Sequence, residues 1–126
     1  MSSYLIVGAK FRPPAQGLLN ALPTGTKLLA RREASNAYDA NAIMVLVRTQ
    51  DFADTLDIEH TDKELAGFGS SYNALMAQPE WHLGYIPRVD AATLAPRMDA
   101  AQRTSLAGEL TFGATGAPRI TLTEEI

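Results

Sequence analysis

The sequence contains no cysteine among its 126 residues. Neither a disulfide framework nor a zinc site built on cysteine is therefore possible. Histidine is almost as scarce, and neither His60 nor His82 stands in a His-x-Glu or His-Glu-x-x-His spacing that would bind a metal. These absences exclude the thiol chemistries and the commonest metal sites.

Long hydrophobic runs are also missing. No segment approaches the roughly 18 apolar residues that a membrane-spanning helix needs. The amino terminus, residues 1–8, has no basic region and too short an apolar run for a signal peptide. We therefore expect a soluble intracellular, cytoplasmic protein.

Arrangements that support catalysis are equally rare. Residues 67–71 have the glycines of a phosphate-binding loop, but they lack the lysine that should follow and the strand that should precede. Acidic residues from Asp51 to Glu59 are able to ligate a hard cation, yet they lack the glycine and the spacing of a calcium loop. We predict a protein that is not an enzyme and needs no cofactor. A small metal-dependent hydrolase built on the acidic residues is the weakest alternative.

Acidic charge is concentrated in one part of the chain. The whole sequence has a formal charge of −3 at pH 7, whereas residues 49–80 hold seven acidic side chains and one lysine, a net −6. The remainder then carries +3, so the overall sign does not exclude a nucleic-acid partner. We interpret residues 49–80 as an acidic insertion in a single domain spanning residues 1–126, and we expect it to be dispensable for folding.

Short β-type runs separated by glycine and proline dominate the rest of the sequence. Hydrophobic residues make up 46% of the chain and charged residues 20%, which is ordinary for a globular domain. Helical patterns are limited to short stretches near residues 15–22, 64–78 and 91–101. The sequence therefore predicts a mainly β protein with small helices, an α+β fold built as a small, partly closed β-barrel.

The most informative stretch runs from Lys27 to Val47. Apolar runs at its two ends indicate a pair of strands, and serine, asparagine and aspartate between them indicate a structured connection. Tyr38 lies in the middle, between Asn36 and Asp39, and no turn requires it. Either these groups face outward as a binding site, or the connection is an Asx-type turn whose tyrosine folds back onto the core. The residues leave both interpretations open.

Four segments of the chain resemble the HIRAN domain family. They are Val7-Gly8 with the basic and aromatic residues that follow, REASNAYDANAI at residues 32–43, LGYIPR at residues 83–88, and FGA at residues 112–114. The second segment is specific to the family, and the third is characteristic of it when the other segments are also present. The resemblance spans nearly everything outside residues 49–80. It implies an OB-like β-barrel of the kind found as an accessory module of DNA-remodelling helicases and nucleases.

The resemblance also implies a ligand, the 3′-hydroxyl end of single-stranded DNA, and a set of site residues. The matching positions are Lys10, Phe11, Asn36, Tyr38, Asp39, Tyr85, Arg88 and Phe112. Among them Asn36, Tyr38 and Asp39 match the positions that hold the terminal nucleotide and its hydroxyl, and Arg88 matches a phosphate-contacting cation. We add Arg32 as a further source of positive charge, because a single-strand binder needs cations for the backbone.

The chain also departs from the family pattern. No helicase, nuclease or zinc-finger segment accompanies the domain, and Ala34 and Ala37 stand where prolines are common. We predict a non-catalytic module that captures single-stranded DNA ends, with catalysis supplied by a separate helicase or nuclease chain. The alternative from another class is a protein-interaction adaptor, in which the barrel is a scaffold and the acidic insertion contacts a protein through Phe52, Phe68, Tyr72 and Trp81.

Overall fold

The computed structural model describes residues 2–126, which contain one six-stranded antiparallel sheet. The strands are β1 (Ser3–Leu5), β2 (Lys27–Arg32), β3 (Ile43–Arg48), β4 (Glu80–Tyr85), β5 (Ser105–Phe112) and β6 (Pro118–Leu122). Their order across the sheet is β1-β6-β5-β2-β3-β4, and every neighbouring pair is antiparallel. The sheet curls into a half-barrel, which confirms the predicted α+β fold and its OB-like, partly closed small barrel.

The two ends of the sheet are linked by a backbone junction between Val7 and Tyr85. The amide of each residue donates a hydrogen bond to the carbonyl oxygen of the other, both at 2.8 Å. The neighbouring Gly84 permits this approach, since a Cβ at that position would lie 2.4 Å from the Val7 carbonyl oxygen. The junction therefore brings the chain that follows β1 against the end of β4.

Four α-helices occur within residues 2–126, and none of them is both long and apolar enough to cross a membrane. They are α1 (Pro13–Ala21), α2 (Ile58–Ala66), α3 (Tyr72–Met76) and α4 (Arg88–Ala100). Short 3₁₀ turns precede α1 at Ala9–Phe11 and follow β3 at Thr49–Asp51. The single helix predicted over residues 64–78 is instead two helices, and α2 begins six residues earlier than that prediction.

Helix α4 also differs from the sequence prediction. It begins at Arg88, three residues before the predicted stretch of residues 91–101, and it continues through Pro96. A proline inside a helix removes one backbone hydrogen bond and strains the preceding turn. Leu94 and Met98 lie on the buried face of the helix, so the burial of this face stabilises the helix where local propensity disfavours it.

The hydrophobic core fills the concave side of the sheet. On β3, Ile43, Val45 and Val47 are fully buried at alternate positions, as expected when one face of a strand is covered. Residues of α1 and α4 belong to the same hydrophobic cluster. The core therefore holds β3, which carries the predicted connection at its start, in a fixed position.

The 49–80 segment contributes to this core, which contradicts the expectation that it is dispensable for folding. Phe52, Leu65 and Leu75 are 0% exposed to solvent and belong to the hydrophobic core cluster. Helix α2 packs closely on α1, where a Cβ at Gly17 would lie 3.0 Å from the ring of Phe68. The segment is therefore an integral part of the packed domain.

Several acidic side chains of the 49–80 segment stabilise local structure. Asp57 accepts a hydrogen bond from the amide of His60 at 2.8 Å, which caps the start of α2. Asp62 accepts one from the amide of Tyr72 at 2.9 Å, at the start of α3. These contacts explain how a segment rich in acidic residues forms two helices, since carboxylates at helix N-termini are stabilising.

Candidate nucleic-acid interface

The 33–42 loop, which connects β2 to β3, is held by its own side chains. Asn36 Oδ1 accepts hydrogen bonds from the amides of Tyr38 at 2.8 Å and Asp39 at 3.0 Å. Asp39 Oδ1 accepts one from the amide of Asn41 at 2.9 Å. Each short side chain therefore takes the place of a backbone acceptor two or three residues away, which fixes the path of the loop. The Asx-turn interpretation describes the backbone of this connection correctly.

The Tyr38 side chain points away from the loop into solvent. It is 91% exposed, the most of any large hydrophobic side chain in residues 2–126. The interpretation that this ring folds back onto the core is therefore wrong. A large aromatic ring kept in water by a rigid loop is typical of a binding surface, because its apolar area stays available for a ligand.

Arg32, at the end of β2, holds the loop in place. Its side chain is 8% exposed, and its guanidinium donates to the carbonyl oxygens of Ala40 and Ala42, each at 3.0 Å. It also forms two hydrogen bonds with Asp99 of α4, at 2.9 and 3.1 Å, which lower the pKa of Asp99. Most of its donors are thus engaged within the protein. We therefore assign Arg32 a positioning role in place of the predicted phosphate contact.

A cleft of about 410 Å³ opens beside the Tyr38 ring. It lies where the 33–42 loop, the junction that closes the sheet and the start of α4 come together. Its lining residues are Val7, Asn36, Tyr38, Asp39, Ala42, Tyr85, Ile86 and Arg88. Five of the predicted site residues, from two separate segments of the sequence, therefore line one surface.

Opposite charges face each other at this cleft. Asp39 Oδ2 lies 3.7 Å from Arg88 Nε, and Arg88 Nη2 lies 3.4 Å from the Tyr38 carbonyl oxygen. Both distances are long for hydrogen bonds, and the Arg88 side chain is 79% exposed. Exposed ion pairs of this kind contribute about 0–1 kcal/mol, so Arg88 can leave Asp39 for a ligand at little cost.

Tyr85 forms one wall of the cleft, with its hydroxyl directed to Glu33. Tyr85 Oη donates to Glu33 Oε1 at 2.9 Å, and Asn36 Nδ2 donates to the same oxygen at 2.6 Å. Burial and then the hydrogen bond to Glu33 raise the pKa of Tyr85, so the hydroxyl stays protonated as the donor. Glu33 therefore connects the wall of the cleft to the loop that carries Tyr38.

Besides Arg32, three predicted site residues lie outside the lining of the cleft. Lys10 and Phe11 belong to the 3₁₀ turn that follows the sheet-closing junction, with Lys10 Nζ 5.1 Å from the centroid of the Phe11 ring, which is 78% exposed. Phe112 ends β5 and is 40% exposed. The part of these residues in binding stays a prediction.

The sequence did not identify Val7 and Glu33 as members of the site. Val7 falls in an apolar run that indicated a buried strand, yet it is 40% exposed and lines the cleft. Glu33 belongs to the 32–43 motif but was not among the predicted site residues. Their roles depend on the closure of the sheet at Tyr85, and a single sequence carries no signal for that closure beyond the motifs themselves.

A curled antiparallel sheet with an exposed ring, a weakly paired cation and hydrogen-bonding groups around one cleft defines an OB-like module suited to nucleic acid. The sequence profile of the HIRAN domain matches residues 1–115 of the chain. The protein therefore belongs to the HIRAN domain family. The domains of this family are DNA-binding modules and are generally non-catalytic, so membership implies binding of nucleic acid.

A solved structure supports the same fold. The chain is similar to a protein from Lactobacillus plantarum, a structural-genomics target, with 24% sequence identity and a TM-score of 0.56. The match covers 97% of this chain and 89% of that one. At this identity the likeness concerns the fold alone. No curated protein matches the sequence.

Proposed function

We propose that the cleft captures the 3′-hydroxyl end of single-stranded DNA. The observation that carries the proposal is an exposed ring next to a carboxylate on one rigid loop: Tyr38 is 91% exposed, and Asp39 lines the same cleft. A base of any sequence can stack on such a ring, which is worth about 1–3 kcal/mol. The ring thus supplies affinity without requiring a particular sequence.

Asp39 supplies selectivity for the free hydroxyl. A carboxylate repels a polyanion, so a pocket that held phosphates alone should not contain one. Asp39 Oδ1 is engaged by the amide of Asn41, which fixes the carboxylate, while Oδ2 faces Arg88 at the longer distance of 3.7 Å. A hydroxyl donates more strongly to an ionised acceptor than to a neutral one. The same charge repels a terminal phosphate, so one side chain favours the free end and disfavours the blocked one.

Arg88 is suited to the phosphate that precedes the terminal nucleotide. Its guanidinium is 79% exposed and has only long contacts to Asp39 and the loop backbone. It lies in the first turn of α4, where the partial positive charge of the helix adds to the attraction for an anion. When a strand end enters, the separation of Arg88 from Asp39 makes the cation available to the phosphate and the carboxylate available to the hydroxyl.

The remaining predicted residues are assigned to the strand beyond the terminal nucleotide. Lys10 and Phe11 form an exposed cation and ring close to the cleft, and Phe112 offers a second partly exposed ring. The module itself performs no catalysis in this proposal. A separate helicase or nuclease chain acts on the DNA end that the module holds.

Fluorescence anisotropy tests this proposal with three internally labelled oligonucleotides of one sequence. One ends in a 3′-hydroxyl, one ends in a 3′-phosphate, and one is circular. We expect the 3′-hydroxyl strand to bind most tightly, with a dissociation constant on the order of micromolar, because a small cleft makes few contacts. Two or three phosphate contacts predict a slope of log affinity against log salt of about −1.4 to −2.1.

Equal binding of the three strands would overturn end capture. A salt slope several times steeper would indicate an extended basic groove, which is a different binding mode.

The adaptor alternative requires exposed aromatic side chains on the 49–80 segment. Phe52 is fully buried, and the ring of Phe68 packs against α1. Trp81 Nε1 donates to the Leu75 carbonyl oxygen at 3.0 Å. No observation therefore favours this alternative.

For the hydrolase alternative, residues 2–126 contain no group of three or more histidine, aspartate and glutamate side chains that could hold a metal ion.

A further inference from the structure

We propose a second nucleotide-binding subsite, on the far side of Tyr85 from the cleft, that holds the nucleotides upstream of the captured end. We call it the upstream recess. It has a volume of about 330 Å³ and is lined by Arg12, Pro14, Ala15, Gln78, Trp81 and His82. The inference rests on the proposed capture of a strand end, and it adds a path for the rest of the strand.

The upstream recess begins one side chain away from the cleft. Tyr85 lines the cleft, and the ring of His82, which lines the recess, meets the Tyr85 ring edge to face with centroids 4.7 Å apart. Arg12 also lines the recess, and its Cζ lies 5.8 Å from the centroid of the Tyr85 ring. A strand that leaves the cleft across Tyr85 therefore reaches Arg12 and His82 next.

Arg12 provides the positive charge of the recess. It is exposed, and it forms no ion pair with the carboxylates of residues 2–126. It follows Lys10 and the exposed ring of Phe11 directly in the sequence. A cation without an ion-pair partner beside an exposed ring is the combination with which proteins follow a single strand. The nearby Glu33 carboxylate already accepts hydrogen bonds from Tyr85 and Asn36.

The recess also presents flat surfaces in fixed orientations. The Trp81 ring is held by its hydrogen bond to a backbone carbonyl oxygen, and the His82 ring is held by a 2.8 Å hydrogen bond between Nε2 and the Gly84 carbonyl oxygen. Burial, and then the charge of Arg12, lower the pKa of His82. A neutral imidazole in a fixed orientation offers a face for stacking and does not compete with Arg12 for a phosphate.

These positions give the bound strand a direction. The 3′ terminus lies at Asp39, the preceding phosphate lies at Arg88, and the strand then crosses Tyr85 toward Arg12. A dinucleotide fills the cleft alone, whereas a hexanucleotide also occupies the upstream recess. The length of the ligand therefore separates the contributions of the two subsites.

The test compares 3′-hydroxyl dinucleotides and hexanucleotides as competitors of a labelled strand. Arg12→Gln is measured beside the matched control Arg97→Gln, an exposed arginine of α4 whose guanidinium donates to the Ile126 carbonyl oxygen. We expect Arg12→Gln to weaken binding of the hexanucleotide by about five- to tenfold, as for one charge-assisted contact. Its salt slope should become shallower by about 0.7, as for one phosphate. The dinucleotide, and both ligands with Arg97→Gln, should change by less than about twofold.

Equal losses for the dinucleotide and the hexanucleotide would overturn the subsite, because Arg12 would then act through Tyr85 on the terminal site. Equal effects of Arg12→Gln and Arg97→Gln would overturn it as well. Both variants are expected to fold, since Arg12 makes no side-chain cap on α1. Failure of the proposed function has a different result: the wild-type protein then shows no preference for 3′-hydroxyl over 3′-phosphate ends at either length.

Discussion

The 33–42 loop and the 49–80 segment are both polar connections that follow strands of one sheet, and they fold in opposite ways. The loop satisfies its backbone with its own asparagine and aspartate side chains and leaves Tyr38 in water. The segment caps its helices with carboxylates and buries Phe52 and Leu65 in the core. Polar composition therefore does not determine whether a connection is exposed to solvent or packed into the core. The spacing of its apolar residues is more informative.

This difference separates stability from binding in the molecule. The loop exposes its largest side chain, so that side chain contributes little to the free energy of unfolding. The segment contributes several fully buried side chains, and its loss leaves cavities in the core. We therefore expect substitutions in the segment to change stability and substitutions in the loop to change binding.

Among single substitutions, the largest expected effect is that of Phe52→Ala. Truncation of a fully buried phenylalanine typically costs about 3–5 kcal/mol, and Phe52 is 0% exposed. Chemical denaturation should show this loss in the free energy of unfolding, with Tyr38→Ala as the exposed aromatic control.

Replacement of residues 50–79 by a short Gly-Ser link should abolish cooperative unfolding altogether. A folded, stable replacement would restore the view of the segment as an appendage and break the comparison.

The sequence was sufficient to predict the sheet and a helical stretch near residues 64–78, but not the earlier start of α2 or the division of that stretch into two helices. Runs such as Ile43 to Val47 consist of apolar residues typical of strands, and glycine and proline separate such runs. In the segment, carboxylates stand where helix capping requires them, and without the structure they look like a solvated loop. A helical stretch near residues 91–101 was predicted, but its continuity through Pro96 depends on the burial of one face, which outweighs the local signal of the proline.

The sequence was sufficient to predict which segments form the site, but not how their side chains are arranged. The motif of residues 32–43 pointed to Tyr38 and Asp39, and both line the cleft. The sequence did not reveal that Arg32 is occupied by carbonyl oxygens and Asp99, or that Glu33 connects the loop to the cleft wall. These contacts join residues that are 8 to 67 positions apart, so they depend on the tertiary fold.

The second prediction concerns Tyr38→Ala, which should affect binding alone. Loss of a stacked ring should weaken binding of single-stranded DNA by about 1–3 kcal/mol, measured by anisotropy with the 3′-hydroxyl strand. The free energy of unfolding should change by less than about 0.5 kcal/mol, as at other exposed positions. Tyr38→Phe is the matched control and should keep most of the affinity, since it retains the ring.

A large fall in the melting temperature of Tyr38→Ala would contradict this separation. Binding that followed the folded fraction would then show that the ring supports the fold rather than a ligand.

The third prediction concerns the Asp39→Asn variant. The amide keeps the shape and one acceptor, so the contact with the Asn41 amide should persist. Loss of the charge should weaken binding of 3′-hydroxyl strands by about fivefold, the typical difference between charged and neutral hydrogen bonds, and should strengthen binding of 3′-phosphate strands. The ratio of the two affinities is the quantity to measure. Asp90→Asn, which removes a carboxylate in the first turn of α4 outside the cleft lining, is the control.

An unchanged ratio in Asp39→Asn would remove this carboxylate from the recognition of the strand end. Its role would then be confined to the Asx turn that shapes the loop.

The smallest expected effect comes from the exposed charges of the 49–80 segment. Asp54 and Glu59 are exposed, and neither forms an ion pair within residues 2–126. Their repulsion of DNA acts through solvent, where the Debye length is about 30 Å at 0.01 M salt and about 8 Å at 0.15 M. The double variant Asp54→Asn with Glu59→Gln should therefore bind about twofold more tightly at the lower salt concentration and equally at the higher one.

The salt dependence of this small gain distinguishes a distant charge from a nearby one. A distant carboxylate is screened at 0.15 M salt, whereas a carboxylate at the cleft itself keeps its effect. Glu125→Gln removes an exposed charge outside the segment and serves as the control. If the gain of the double variant persisted at 0.15 M salt, Asp54 and Glu59 would lie against the bound strand. The loop and the segment would then form one binding surface, and the separation of stability from binding would no longer hold.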